Sequence, residues 1–138
     1  MADDPRSVVE TLVATLNAHD GRASRALFAP DALVVTAAGR ETGLDGMDRM
    51  HASTIGAFPD LQLRVTRWVI DGDTVVTEEV MEGTHQGEIG GFAPTGRPVA
   101  LRMVHVTRVR DGRIVERVSY HDTAGLLAQL AGTATSPA

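Results

Sequence analysis

The chain has 138 residues, of which 43% are hydrophobic and 22% charged, and these values are ordinary for one globular domain. It contains no cysteine, which excludes disulfides, thiol nucleophiles and cysteine-bound metals, and it contains no lysine, which excludes Schiff-base catalysis. The net charge of −5, with arginines interleaved among acidic residues, argues against a nucleic-acid partner.

The first half of the chain has the periodicity of helices. Asp4-Pro5 is a typical helix start, and the apolar residues after it recur at helical spacing until the helix ends within 17–21. A second helix is predicted over 23–28, a β-branched strand over 32–36 and a third helix over 44–57. The start lacks a signal-peptide pattern and no apolar run approaches the roughly 20 residues of a membrane span, so we expect a cytoplasmic protein without a membrane partner.

The second half has the period of two that is typical of strands. One face of the first strand is predicted to carry Leu61, Leu63, Val65, Arg67 and Val69. The elements after it are predicted in this order: a turn at 71–72, strand 74–83, a Gly- and Pro-rich loop over 86–98, strand 99–110, a turn at 111–112 and strand 113–120. Asp122 is expected to cap a last helix over 123–130, and residues 131–138 are expected to fray.

Strands are thus segregated from most of the helices, which indicates an α+β fold. No repeat, linker or shift in composition marks a boundary, so residues 1–138 are predicted to form a single domain.

Several short motifs occur along the chain in a fixed order. They are Phe58-Pro59-Asp60-Leu61, Gly72-Asp73, Gly83-Thr84-His85-Gln86-Gly87-Glu88, Pro94-Thr95-Gly96-Arg97, Asp111-Gly112-Arg113-Ile114-Val115-Glu116, and Asp122 with Leu126, Leu127, Gln129 and Leu130. At these spacings the chain resembles the SnoaL-like polyketide cyclase family of the nuclear transport factor 2-like superfamily.

The resemblance implies a cone-shaped fold in which a curved antiparallel sheet and three to four helices enclose one pocket, usually in a homodimer. It implies candidate activities as well. Family members include cyclases that perform intramolecular aldol closure, and similar folds host epoxide hydrolases, dehydratases and ketosteroid isomerases. Some members of the superfamily have no catalytic activity, so the fold by itself fixes no reaction.

His105 is the first candidate for chemistry. It shares a strand face with Leu101 and Met103, so we expect it to point into the pocket, where apolar surroundings lower the pKa of an imidazole. It would then act as a base or orient a carboxylate. The alternative is a core histidine whose ring is satisfied by a backbone carbonyl.

Glu79 is the second candidate, because it shares a face with Met81 and His85 on the preceding strand. Burial would raise the pKa of its carboxyl and make it a general acid or base. The alternative is that Glu79 pairs with an arginine of a neighbouring strand. His85 could take part in acid/base chemistry, contact the substrate or hold the Gly-rich loop in place.

The last hairpin leaves two registers open. A strict two-residue loop at Asp111-Gly112 places Val118 and Tyr120 beside His105, whereas a bulged three-residue turn places Ser119 and His121 there. The resemblance implies an acid/base aspartate from this strand. The candidate is Asp122, although a plain alignment puts Ser119 at that position and Asp122 is also a good helix cap.

The remaining predictions concern the ligand. The substrate-contacting residues are expected to be Met81, Met103, Ser119, His85 and Trp68, whereas His19 and His51 are expected to be surface or structural. No metal is predicted, because no tight ligand spacing occurs. No cofactor is expected either. Most groups of the epoxide hydrolases are absent.

The leading hypothesis is a cofactor-independent enzyme that acts on a hydrophobic, polyketide-like or cyclic small molecule by aldol cyclisation, isomerisation or dehydration. His105 is the predicted base, Asp122 or His121 its partner, and Glu79 the reserve. The alternative is a non-catalytic small-molecule binding or dimerisation module of the same fold.

Overall fold

The computed structural model describes residues 4–133, and these form a curved six-stranded sheet with four helices. The helices are α1 (Pro5–Asn17), α2 (Gly21–Arg25), α3 (Leu44–Ala57) and α4 (Thr123–Ala131). The strands are β1 (Phe28–Val35), β2 (Glu41–Thr42), β3 (Gln62–Asp71), β4 (Thr74–Thr84), β5 (Pro98–Arg110) and β6 (Arg113–His121). Their order in the sheet is β2-β1-β6-β5-β4-β3. The predicted α+β class is therefore confirmed, and the predicted α3 has the observed bounds.

The segment between α1 and α3 differs most from the predicted elements. α2 begins at Gly21, before the predicted residue 23, because the Asp20 side chain accepts a hydrogen bond from the Ala23 amide at 3.0 Å and so caps the helix there. β1 begins at Phe28 and includes Pro30, and its register against β6 shifts in this stretch, where proline removes a donor. β1 pairs with β6 in parallel, so the sheet is antiparallel only in its other pairs.

β3 contains a bulge that the sequence pattern does not show. Val65 pairs with Glu79 and Arg67 pairs with Glu78, so Thr66 is the extra residue. The two faces therefore exchange at Thr66. The prediction that Arg67 and Val69 share a face with Leu63 and Val65 is wrong. Trp68 turns inward instead, and Val69 is 52% exposed.

The β5–β6 hairpin settles the register that the sequence leaves open. Arg110 pairs with Arg113 across a two-residue turn in which Asp111 and Gly112 both have positive φ, 52° and 75°. Further along, Arg108 pairs with Glu116 and Val109 with Ile114, so Val115 is a bulge residue. The turn is thus strict, but the bulge at Val115 still moves the register by one.

This bulge decides which residues of β6 face inward. Beyond it, His105 pairs with Ser119 and Met103 with His121, so the second of the two predicted arrangements is the one observed. Tyr120 lies on the outer face and is 59% exposed.

The core has two apolar clusters that lie against the inner face of the sheet. One joins α1, β1 and α3 through Val9, Leu12, Phe28 and Met47, and the other joins the end of α3 to α4 through Phe58, Leu101 and Leu130. Burying each large apolar side chain stabilises the fold by roughly 1.5–3 kcal/mol. Of the predicted frayed tail, Ala131 ends α4, and residues 134–138 lie outside the described residues.

Candidate active site

A cavity of about 140 Å³ lies between α3 and the inner face of the sheet. Most of its wall is apolar and comes from both core clusters: Met47, Met50, Ile55, Leu61, Met81 and Met103. The polar lining is concentrated on β5, β6 and α3: His51, Thr54, His105, Arg117, Ser119 and His121. A ligand here would rest on an apolar surface and meet its polar partners along one side.

His105 and Glu79 form a buried pair beneath this cavity. The Glu79 carboxylate accepts hydrogen bonds at Oε2 from the His105 Nδ1–H at 2.9 Å and from the Thr77 hydroxyl at 2.6 Å. An ionised carboxylate only accepts, so the neutral imidazole carries its proton on Nδ1. The Nε2 lone pair of His105 then has no hydrogen-bond partner among residues 4–133, while the ring lines the cavity. This is the arrangement of an oriented base.

The ionisation of Glu79 is opposite to the prediction from burial. Burial by itself raises the pKa of the carboxyl, but the hydrogen bond from His105 and the positive charge of Arg117 outweigh it and lower the pKa to about 2. Glu79 is therefore a carboxylate near neutral pH and orients His105. The predicted raised pKa of Glu79 is wrong, because its partners stand on other strands.

His105 itself behaves as predicted. Burial first, and then the charge of Arg117, lower the pKa of its imidazole, although the Glu79 carboxylate acts in the other direction. The ring is neutral near pH 7 and able to accept a proton at Nε2.

Arg117 is a site residue that the sequence analysis missed. Its Nη1 donates to the Thr107 hydroxyl at 2.7 Å, its Nη2 lies 3.8 Å from Glu79 Oε2, and 7% of its side chain is exposed. The bulge at Val115 turns Arg117 inward, whereas a strict alternation counted from the turn would place it on the outer face. The neighbouring residues Glu116 and Val118 form no pattern that marks Arg117 as a site residue.

Two further histidines line the cavity. His121 lies with its ring centroid 6.0 Å from that of His105, and burial together with the nearby His105 lowers its pKa to about 4. His51 of α3 lines both this cavity and an outer groove beside α2, so the expectation that it is surface or structural does not describe its place. Burial, and then Arg117, lower the pKa of His51 as well.

Ser119 and Asp122, the two alternatives for the acid/base position, lie in different environments. Ser119 is buried, lines the cavity and pairs across the strands with His105. Asp122 is exposed, and its Oδ1 accepts the Gly125 amide at 3.0 Å as the cap of α4. The position of Asp122 therefore does not support its predicted catalytic role, since its carboxylate stands outside the cavity.

His85 and Trp68, which were predicted to contact substrate, do not line the cavity. His85 is fully buried, and its Nδ1 accepts the Thr95 amide at 3.2 Å, which ties down the Gly-rich loop. Trp68 packs against the α1 core cluster, with the Arg6 guanidinium 4.6 Å above its ring. Met81 and Met103, by contrast, line the cavity as predicted.

Within residues 4–133 there is no group of three or more His, Asp or Glu side chains placed to hold a metal ion. None of the four helices in that range has the length and apolar character needed to cross a bilayer.

The curved sheet and the four helices form a ketosteroid isomerase-like fold, which is also the fold of a structure from Catenulispora acidiphila DSM 44928. That structure is 28% identical to this chain, covers 90% of it and 92% of its own length, and superposes with a TM-score of 0.75. The chain belongs to the SnoaL-like polyketide cyclase family, whose model matches residues 6–130.

Two solved structures from Streptomyces are similar over nearly the whole chain. AclR, a candidate hydroxylase from Streptomyces galilaeus, is 28% identical, covers 99% of this chain and 87% of its own, and has a TM-score of 0.88. IdmH, a candidate polyketide cyclase from Streptomyces antibioticus, is 35% identical, covers 93% and 99%, and has a TM-score of 0.84. No curated protein sequence matches the chain significantly.

Proposed function

We propose that this protein is a cofactor-independent enzyme that moves a proton on a hydrophobic, polyketide-like or cyclic small molecule, giving aldol cyclisation, isomerisation or dehydration. Family membership and the similarity to IdmH and AclR support a polyketide-cyclase type of role. The observation that carries the proposal is the hydrogen bond from His105 Nδ1 to the buried Glu79 carboxylate, which orients Nε2 towards an apolar cavity.

The proposed first step is removal of a proton from a carbon next to a carbonyl. The C–H bond breaks, its electron pair moves to the carbonyl oxygen to form an enolate, and the proton passes to Nε2 of His105. Glu79 stabilises the resulting imidazolium, because its carboxylate already accepts the Nδ1 proton. His121, whose ring lies beside that of His105, is the proposed partner that returns or relays a proton.

Exchange of carbon-bound hydrogen tests this step without knowledge of the natural substrate. Isophorone and 2-tetralone, two hydrophobic cyclic ketones, are incubated with the protein in D₂O and followed by NMR. We expect deuterium to enter next to the carbonyl with the wild type, and the rate to fall by about 100-fold or more in His105→Gln. We expect Glu79→Gln to slow the exchange as well, because Glu79 accepts the hydrogen bond from His105 Nδ1. Glu82→Gln is its matched control, since Glu82 lies on β4 but faces outward and is exposed. Equal exchange in the wild type and His105→Gln contradicts the proposal.

One observation favours a non-catalytic binding module instead. One of the two positions at which the resemblance implies an acid/base aspartate holds Ser119, whose hydroxyl does not titrate near neutral pH. The binding-module hypothesis predicts that Glu79 and His105 are both occupied by neighbouring groups and that the cavity has no free polar cluster. The first part agrees with the structure, because these two side chains bond each other. The partnerless Nε2 of His105 and the single hydrogen bond of Arg117 within residues 4–133 favour the enzyme.

We also propose a homodimer. The outer face of the sheet carries a row of partly buried valines, Val76, Val80, Val104, Val106 and Val118, with the exposed Tyr120 beside them. Sedimentation velocity measures the oligomeric state directly. The cytoplasmic location and the absence of a nucleic-acid partner stay predictions.

A further inference from the structure

Arg117 is the one side chain with a permanent charge among the described residues that line the cavity. The other basic groups there are His51, His105 and His121, which are neutral near pH 7 because burial lowers the pKa of each. The nearest negative charge, on Glu79, lies 3.8 Å from Arg117 Nη2, beyond hydrogen-bond distance. Glu79 therefore offsets part of the positive charge of Arg117, but it occupies none of the hydrogen-bond donors of the guanidinium.

The guanidinium has more donors than acceptors around it. It carries five N–H groups, and within residues 4–133 its single hydrogen bond runs from Nη1 to the Thr107 hydroxyl at 2.7 Å. Among the described residues, no nitrogen of Arg117 is a fully enclosed atom without a partner, and Arg117 lines the cavity. Its remaining donors are therefore available to an acceptor on a ligand in the cavity.

The position of Arg117 on β6 limits what this acceptor can be. Arg117, Ser119 and His121 share the inner face of one strand, and they form a polar edge opposite the methionine-rich wall. The Ser119 hydroxyl also has no hydrogen bond among the described residues. A matching ligand has an apolar ring or chain with an oxygen on one side.

We propose that Arg117 binds the oxyanion of an enolate, so that the substrate class is a mostly apolar cyclic ketone or 1,3-dicarbonyl compound. The proposal rests on the proposed function, because it takes His105 as the base that creates the enolate. The C–H bond of the substrate breaks, its proton goes to His105 Nε2, and its electron pair becomes the oxyanion beside Arg117. No oxidant or further reactant is needed.

The charges of the site support this pairing. The positive charge of Arg117 is a cause, after burial, of the lowered pKa of His105. An enolate oxygen on Arg117 cancels part of that effect and lets His105 hold its new proton. Formation of the enolate and protonation of the imidazole therefore stabilise each other.

The test compares two small rings of similar shape. Dimedone is a cyclic 1,3-diketone that is an enolate at neutral pH, and isophorone is a neutral cyclic enone of similar size. Isothermal titration at pH 7 measures both dissociation constants. For the wild type we expect dimedone to bind about tenfold or more tightly than isophorone, as a charge-assisted hydrogen bond does. Equal affinities overturn the proposal.

Variants locate the effect. Glu79→Gln with Arg117→Met removes both buried charges, and we expect it to lose the preference for dimedone while it still binds isophorone. Arg108→Met is the matched control, because Arg108 faces outward on β5 beside Asp73 and should leave the preference unchanged. A preference that persists in the double variant contradicts a role for Arg117.

Two further measurements separate the outcomes. The side-chain Nε–H signal of Arg117 in the wild type, measured by NMR, should shift with dimedone and not with isophorone, and no shift with either ring refutes the contact even if variants misfold. Cyclohexanecarboxylate is the third ligand, and tighter binding of it than of dimedone overturns an enolate site in favour of a carboxylate site. An enolate preference without any hydrogen exchange would disprove the proposed function but leave the anion site standing.

Discussion

Replacing Glu79 by glutamine removes one charge from the buried pair while it keeps the shape of the side chain. Its carboxylate accepts hydrogen bonds from Thr77 and His105 and lies 3.8 Å from Arg117. Two charge-assisted hydrogen bonds become neutral ones, at a cost of about 1 kcal/mol each, and the buried guanidinium loses its counter-charge. We expect Glu79→Gln to lower the free energy of unfolding by about 3 kcal/mol.

The pKa of Glu79 points in the same direction. It is lowered by the hydrogen bond from His105 and by nearby positive charge, so the folded protein favours the charged form of this carboxyl. Glutamine resembles the protonated form, so the two routes concern the same free-energy difference. Urea unfolding at pH 7, followed by circular dichroism, measures it.

Two further variants, at Glu82 and at Arg117, test whether the effect of Glu79→Gln comes from its buried charge. Glu82 lies on the same strand as Glu79 and forms an exposed ion pair with Arg64 of β3. Glu82→Gln breaks this pair and should change the free energy of unfolding by less than about 1 kcal/mol. Arg117→Met combined with Glu79→Gln should cost at least about 1 kcal/mol less than the two single changes together, because their charges compensate each other. The description of Glu79 and Arg117 as coupled charges is refuted by either of two results. One is that Glu79→Gln lowers the free energy of unfolding no more than Glu82→Gln does, and the other is that the effects of Glu79→Gln and Arg117→Met are additive in the double variant.

The remaining predictions concern acid stability and the cap of α4. His121 has a pKa lowered to about 4, so the unfolded chain takes up its proton first as the pH falls below about 6.5, and stability is lost from there towards pH 4. His121→Gln should reduce that loss by roughly 1–2 kcal/mol, since partial exposure screens the effect, and unchanged pH profiles of urea unfolding would rule this out. Asp122→Ala removes the bond to the Gly125 amide and should lower Tm by about 3–5 °C in a calorimeter, with hydrogen exchange on ketones unaffected. A lost exchange with an unchanged Tm would restore Asp122 as a candidate for catalysis.

Much of the fold could be predicted because local patterns specify it. The alternation of 99–110 predicts which residues of β5 are buried, and the inward positions of Met103 and His105 follow from it. The bounds of α3 agree as well, since its apolar spacing and the Phe58-Pro59 stop are local signals. The predicted turn at Asp111-Gly112 is confirmed, and both of its residues have positive φ. The first hairpin turns one residue later than predicted, at Gly72 and Asp73, where Gly72 supplies the positive φ.

The candidate site could be predicted only in part. His105 was found because it shares a face with apolar neighbours, but Arg117 was missed. A bulge adds one residue without changing the residue types around it, so no sequence pattern indicates that Thr66 and Val115 are bulge residues. Every assignment beyond a bulge depends on the observed pairing.

The sequence by itself determined the α+β class, the order of the long strands and the presence of a histidine on an apolar strand face. Only the tertiary structure decided the chemistry of that face. Glu79 and His105 are 26 positions apart, and Arg117 comes from a third strand, yet these partners turn the carboxyl from a raised to a lowered pKa. Ionisation depends on charges that are near in space, and the sheet register alone brings these three together.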